Sequence, residues 1–303
     1  QQRYLPAGSQ ADPERTWKVP VCFRFGLGGG WSNECVLVEK PEQSFEVDLA
    51  TCPDWVHPNA RASGYYHWKL PKDDFDNLVG EHRDEMRLTE KVALLPHVAA
   101  LTEAHEVPYS TYLQAVEWMA SSEHRAIVSH IIAAVRDLEE KVVDEETRPA
   151  FTEWAQSIIG PHAERLGFEA KAGEPVSHAL LRPKVMRAAA LVVGNETYVE
   201  KARQMVGDYF ENPKKVGGSE LRTSLIIAAE RGDAQLWAQI HGAIADAPNP
   251  GKRVALIKAL GFFDEPDLQK KSLDAFLGDT LRAQDFWTVV GPTLRRPENG
   301  EVT

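Results

Sequence analysis

Long apolar runs are absent from this chain of 303 residues. Ala188-Ala189-Ala190-Leu191-Val192-Val193 is among the longest uninterrupted ones, far short of the roughly 18 residues that a bilayer-spanning helix needs. A membrane is therefore not an expected partner. Excess positive charge is missing as well: 34 Lys and Arg face 45 Asp and Glu, a formal net charge of −11. Such a surface repels phosphate backbones and anionic lipid, so no nucleic-acid partner is expected. Cysteine is scarce, with Cys22, Cys35 and Cys52 near the start and no Cys-x-x-Cys among them. A low, odd count reads as buried free thiols in a reducing, cytoplasmic setting, with a Cys22–Cys35 bridge across a hairpin as the alternative. Close pairs of histidines are lacking too. The ten histidines never come nearer than six residues, so no helical turn offers two imidazoles to one ion as His-Glu-x-x-His does. His105-Glu106 comes nearest, but Val107-Pro108 then ends the helix. Cys22, Cys35, Cys52 and His57 lack the tight knuckles of a structural zinc site. The expectation is no catalytic residue and no metal site in this chain, with its histidines on ordinary surfaces and loops.

The period of the apolar pattern changes once, near residue 70. Before it, residues alternate. Trp17-Lys18-Val19-Pro20-Val21-Cys22-Phe23-Arg24-Phe25 and Glu34-Cys35-Val36-Leu37-Val38 read as strands either side of Gly26-Leu27-Gly28-Gly29-Gly30, a mobile hairpin tip without the Lys-Ser/Thr of a phosphate loop. Phe45–Leu49 and Tyr65–Leu70 add two strand-like segments. From Asp73 onward apolar residues recur every three or four positions, predicting about a dozen helices from Asp74–Asp84 to Arg282–Val290. The fold class is mainly α: a HEAT/ARM-like helical solenoid, a superhelical bowl over residues 71–303, preceded by a small β-sandwich over residues 1–70.

Four arginines, Arg182, Arg222, Arg253 and Arg282, fall near predicted helix starts. A guanidinium can grip a peptide carboxylate with two parallel hydrogen bonds, which makes Arg222, Arg253 and Arg282 the candidate peptide-binding residues. Salt bridges between helices are the competing role for each. Trp118, Trp154, Trp237 and Trp287 sit at helical spacing and read as core. Ser219 reads as a helix N-cap. Asn195-Glu196-Thr197 matches a glycosylation triplet of the kind that chance supplies.

The stretch Leu166-Gly167-Phe168, then Gly173-Glu174-Pro175, then Leu180-Leu181-Arg182 reads as a helix stopped at Gly167, a loop, and a second helix restarting at Pro175. In this order it resembles a joint in the C-terminal helical domain of zinc aminopeptidases of the aminopeptidase N family, especially the puromycin-sensitive type. Further along, Leu221-Arg222, Arg231-Gly232-Asp233, Trp237, Ala259-Leu260-Gly261 and Leu281-Arg282-Ala283-Gln284-Asp285-Phe286 are similar to successive landmarks of that domain. Gln1-Gln2-Arg3-Tyr4, Trp17–Val21, Asn59 and Gly64-Tyr65-Tyr66 resemble its β-sandwich and the exit from it. Two positions depart from the pattern: His67 stands where the family commonly has Arg, and Phe262 where some members are basic. The chain opens without Met or a secretory signal and reads as an excised piece.

The resemblance implies the non-catalytic C-terminal portion of a zinc-dependent aminopeptidase, one that caps the active site and encloses peptide substrates. Neither His-Glu-x-x-His nor the family's Gly-x-Met-Glu-Asn motif is present. No cofactor is expected in this chain; zinc would belong to the missing catalytic domain of the parent, which with peptide substrates makes up the expected partners. Alone, the chain is expected to be inactive. The alternative is a stand-alone helical-repeat adaptor that binds a protein partner on its concave face.

Overall fold

The computed structural model describes residues 1, 9–12, 14–278 and 280–294. The chain divides into two compact units, Gln1–Val135 and Arg136–Thr303. In the first, β1 (Val19–Leu27), β2 (Gly30–Val38) and β3 (Trp55–His57) form an antiparallel sheet in the order β2-β1-β3. Gly28 and Gly29 join β1 to β2 with φ of 51° and 91°, the left-handed pair that a two-residue hairpin loop requires. This tip is pinned rather than mobile. The Gly28 N–H donates to Asp54 Oδ2 at 2.7 Å, and the Asp54 N–H donates back to the Gly26 carbonyl at 2.8 Å.

Two expected strands are not strands. Residues 45–49 and 65–70 are irregular, while Trp55–His57 supplies the third strand. Alternation signals only that a backbone can extend; a ladder needs a neighbour, and β3 has one because Arg24, Phe25 and Gly26 pair with His57, Val56 and Trp55. Of the strand expected at Gln1-Gln2-Arg3-Tyr4, residues 2–4 lie outside the described residues, as does the chain end from Arg296.

The helices of this unit are α1 (Lys72–Asp76), which continues as a π-helical turn over Asn77–Glu81, then α2 (Leu88–Glu103) and α3 (Tyr109–Met119). Leu94, Leu95 and Val98 of α2 and Tyr112, Ala115, Val116 and Met119 of α3 are buried, and the two helices pack together. The three- and four-residue spacing of these side chains is the stripe that the sequence displays. α4 (Arg125–Val142) carries the chain across the division.

The second unit holds α5 (Arg148–Leu166), α6 (Val176–Arg187), α7 (Glu196–Glu211), α8 (Gly218–Glu230), α9 (Ala234–Gly242), α10 (Pro250–Leu260), α11 (Pro266–Asp274) and α12 (Phe286–Thr293). A π-helical turn, Ala188–Val192, extends α6. Short polar side chains start several of them: Asn195 Oδ1 accepts from Thr197 N, Asp233 Oδ1 from Leu236 N, and Asn249 Oδ1 from Lys252 N. Asn195 of the glycosylation triplet is thus a helix cap. Ser219 is not: Gly217 occupies the cap position and Ser219 lies inside α8.

Even-numbered helices contact one another in sequence, α6 with α8, α8 with α10, and α10 with α12, while α7 packs on α8, α9 on α10 and α11 on α12. Their shared core includes Leu221, Leu225, Trp237, Ile240, Leu256, Leu260, Phe263 and Val289. At the α10–α12 crossing a methyl group on Gly261 would collide with the Val289 carbonyl, which gives this landmark glycine a packing reason. The expected core role holds for Trp237, whereas Trp287 is 70% exposed. Helical spacing names a face, and only the neighbour that arrives decides whether that face is covered.

Candidate functional site

The joint between α5 and α6 is built as its sequence reads. α5 ends at Leu166, Gly167 turns the chain with φ 68°, and Pro175 precedes the first residue of α6. What the sequence did not reveal is the clasp that closes it. Arg182, buried on α6, reaches back across the loop: Nη1 donates to Glu174 Oε1 at 2.6 Å and Nη2 to Glu174 Oε2. Nε donates to the Gly167 carbonyl at 3.2 Å, and Nη2 to the Leu166 carbonyl at 3.3 Å. The guanidinium thus satisfies carbonyls left over at the end of α5. Its hydrogen bonds hold the Glu174 carboxyl below the usual carboxylate range. Beside the clasp, a cavity of about 20 Å³ is lined by Phe168, Arg182, Met186, Glu220 and Thr223 among others, room for no more than a water.

The three arginines singled out as peptide ligands differ in setting. Arg222 is exposed on α8. Arg253 on α10 is half-buried and donates to Asp285, Nη2 to Oδ2 at 2.9 Å. Arg282 is exposed, and its backbone N–H donates to the same Asp285 oxygen at 3.1 Å. Arg253 and Arg282 are therefore brought together around one buried carboxylate. Burial alone would raise the Asp285 pKa, but the hydrogen bonds from Arg253 and the Arg282 N–H, with the charge of both arginines, hold it below the usual range. The role of Asp285 was missed by sequence reasoning. Its position three residues after Arg282, where a carboxylate can reach back to a backbone N–H, was the available signal.

The first unit contains a second polar cluster. Arg24, 2% exposed on β1, donates through Nε to Glu90 Oε1 at 3.1 Å and through Nη2 to Glu90 Oε2, and lies 4.5 Å over the Trp55 ring. Glu90, in the first turn of α2, also accepts the N–H groups of Arg61 and Arg87 at 2.8 Å each. Burial would raise its pKa; the Arg24 hydrogen bonds, the electrostatic interaction with His57 and the two N–H groups lower it instead. Nearby, Trp68 stacks on His97 at 4.3 Å and meets the edge of His57 at 5.2 Å. His67 and His97 approach Nδ1 to Nδ1 at 3.2 Å. Desolvation lowers the pKa of His57 to about 4 and, together with the charge of the other histidines, that of His97 to about 3.

These histidines correct the expectation of ordinary surface positions: His57, His97 and His162 are buried. They do not fit a hydrolytic zinc, which takes three protein donors and an open position. His67 and His97 share a hydrogen bond with no third donor, and no group of three or more His, Cys, Asp or Glu among the described residues is placed to hold a metal ion. The free-thiol reading also changes. Cys22 and Cys35 form a disulfide, leaving Cys52 alone, free and exposed rather than buried. The pair falls together because it shares a register position on β1 and β2, which removes the premise from which a reducing setting was inferred. No helix of the described residues is long and apolar enough to cross a membrane.

Comparison with known proteins matches the family described as ERAP1-like C-terminal domain over residues 55–302. The chain is 23% identical over 291 residues to aminopeptidase 2, mitochondrial, of Saccharomyces cerevisiae, covering 95% of this chain and 30% of that protein. It is 22% identical to the alanine/arginine aminopeptidase of the same yeast, covering 95% and 33%, and 21% identical to aminopeptidase N of Plutella xylostella, covering 88% and 29%. The chain thus spans about a third of the length of these relatives. With a helix-loop-helix joint where the resemblance places it, a helical second unit, and a family match over most of its length, the chain belongs to the ERAP1-like C-terminal domain family.

Proposed function

We propose that this chain is the non-catalytic C-terminal portion of a zinc-dependent aminopeptidase, and that it caps the active site and encloses peptides whose N-terminal residues the parent's catalytic domain removes. The observation that carries this reading is the family match over residues 55–302 in a chain collinear with about a third of several aminopeptidases. In this reading residues 1–70 derive from a β-sandwich module and residues 71–303 form a HEAT/ARM-like solenoid. The succession of contacts from α6 through α8 and α10 to α12, each flanked by an odd-numbered helix, supports it. The four arginines lie along that same row: Arg182 on α6, Arg222 on α8, Arg253 on α10 and Arg282 just before α12.

Within the row the roles separate. Arg182 is committed to Glu174 and the carbonyls ending α5, so it holds the joint. Arg222 and Arg282 are the exposed cations a peptide carboxylate could meet, and Arg253 with Asp285 braces the segment that presents Arg282. Zinc in this reading resides in the parent's catalytic domain. Incubation of the pure chain with zinc and aminoacyl-arylamides is expected to give no metal-dependent turnover, and turnover by the chain alone would contradict the assignment.

A further inference from the structure

The hairpin of β1 and β2 lacks the anchorage that holds its neighbours. No residue of β2 is buried, and β2 pairs only with β1 among the described residues. The buried part of β1 is Arg24, Phe25 and Gly26, the three residues that pair with β3. Among the described residues its outer half, residues 19–23, pairs with β2 alone. The turn end is held by other means: Asp54 clasps Gly28 and Gly26, and Arg87 lies 4.8 Å over the Trp31 ring. Toward the open end the ties among the described residues are lighter: Phe23 stacks on Phe25 within β1 itself, the Tyr66 hydroxyl meets the Cys22 backbone, and the exposed Gln1 side chain spans Trp17 and Val38. Lys18 and Glu39 form an exposed ion pair, which contributes little in water. A two-stranded ribbon with no fully buried side chain, as in this outer half, is marginal at best.

Cys22 and Cys35 sit opposite one another in that outer half. We propose that the Cys22–Cys35 disulfide is the anchorage of the outer hairpin, so that thiol redox state decides whether residues 19–23 and 34–38 stay ordered, and that the protein accordingly matures in an oxidising compartment. Closing the bond takes two protons and two electrons from the two thiols. A disulfide-bearing oxidant of the compartment accepts them and leaves as its dithiol, whereas thiol pools of a reducing cytosol run the exchange the other way. The remaining helices, anchored by buried apolar faces, stay folded in either state.

Two measurements test this. Protein isolated from its own cells with thiols blocked at lysis is expected to carry label on Cys52 alone, and on all three cysteines only after reduction; labelling of Cys22 and Cys35 without reductant would overturn the proposal. Hydrogen exchange followed on the full chain, before and after reduction, is expected to speed up at least tenfold in residues 19–23 and 34–38, with residues 24–27, 55–57 and α2 unchanged. The Cys22→Ser, Cys35→Ser double variant should reproduce the reduced pattern, and Cys52→Ser the oxidised one. Unaltered exchange in the hairpin, or loss of protection spreading through the helices, would each refute it.

Discussion

Glu90 illustrates how much one side chain can organise. Its carboxylate takes two hydrogen bonds from Arg24 and two from backbone N–H groups, and it does so inside the protein, at 1% exposure. Removing one partner of such a pair leaves the other charge buried without compensation, at a cost of about 3–5 kcal/mol. Glu90→Ala should therefore lower the free energy of unfolding of the chain by that amount, measured by urea denaturation. A result below about 1 kcal/mol would mean that water reaches Arg24. The pKa values of His57 and His97 lead to a second expectation. Both are lowered from an ordinary value of 6.5, to about 4 and about 3, so between those values and 6.5 the unfolded chain binds more protons than the folded one. Their contribution is complete above about pH 6.5 and is lost as the pH falls toward 4 and then 3. The lowered carboxyls of Glu90, Glu174 and Asp285 act in the same direction at still lower pH. Melting temperature should drop steadily from pH 7 to pH 4, and His97→Gln should flatten that dependence. An unchanged slope in the variant would remove His97 as a cause.

At the scale of elements, the joint between α5 and α6 tests whether a recognisable run of residues is also a mechanical one. Arg182 connects the C-terminal carbonyls of α5 to Glu174 in the loop. Arg182→Ala should cost about 2 kcal/mol or more, the worth of charge-assisted hydrogen bonds lost from a buried site. Arg182→Lys should recover little of it, because one ammonium cannot reproduce the paired donors of a guanidinium. Thermal denaturation of the three proteins checks both, and full rescue by lysine would show that charge rather than geometry matters. The helix boundaries around this joint were legible in the sequence: Gly167 stops α5 and Pro175 sets the start of α6. The clasp was not. Glu174 lies in the loop before α6 and Arg182 inside the helix, so no single element carries both, and they meet only because the loop folds back.

For the molecule as a whole, the reading of the exposed arginines concerns peptides rather than stability. On the proposed reading, in an aminopeptidase that contains this chain, Arg222→Glu or Arg282→Glu should raise KM for peptides bearing a free C-terminal carboxylate about tenfold, the equivalent of one charged hydrogen bond, with kcat nearly unchanged. Aminoacyl-arylamides, which lack that carboxylate, should be unaffected. Equal losses on both substrate classes would indicate a folding defect and count against peptide contact.

Composition and periodicity decided that the chain is mainly helical, where most helices begin and end, and that no helical turn pairs two imidazoles for a metal, because these depend on residues within one or two turns of each other. Strand pairing at Trp55–His57 instead of residues 45–49 and 65–70, the Cys22–Cys35 bond, the burial of His57 and His97, the partners of Arg182 and Arg253, and the exposure of Trp287 were settled only in three dimensions. Each requires groups distant along the chain to meet, and which elements meet is a property of packing that local spacing does not contain.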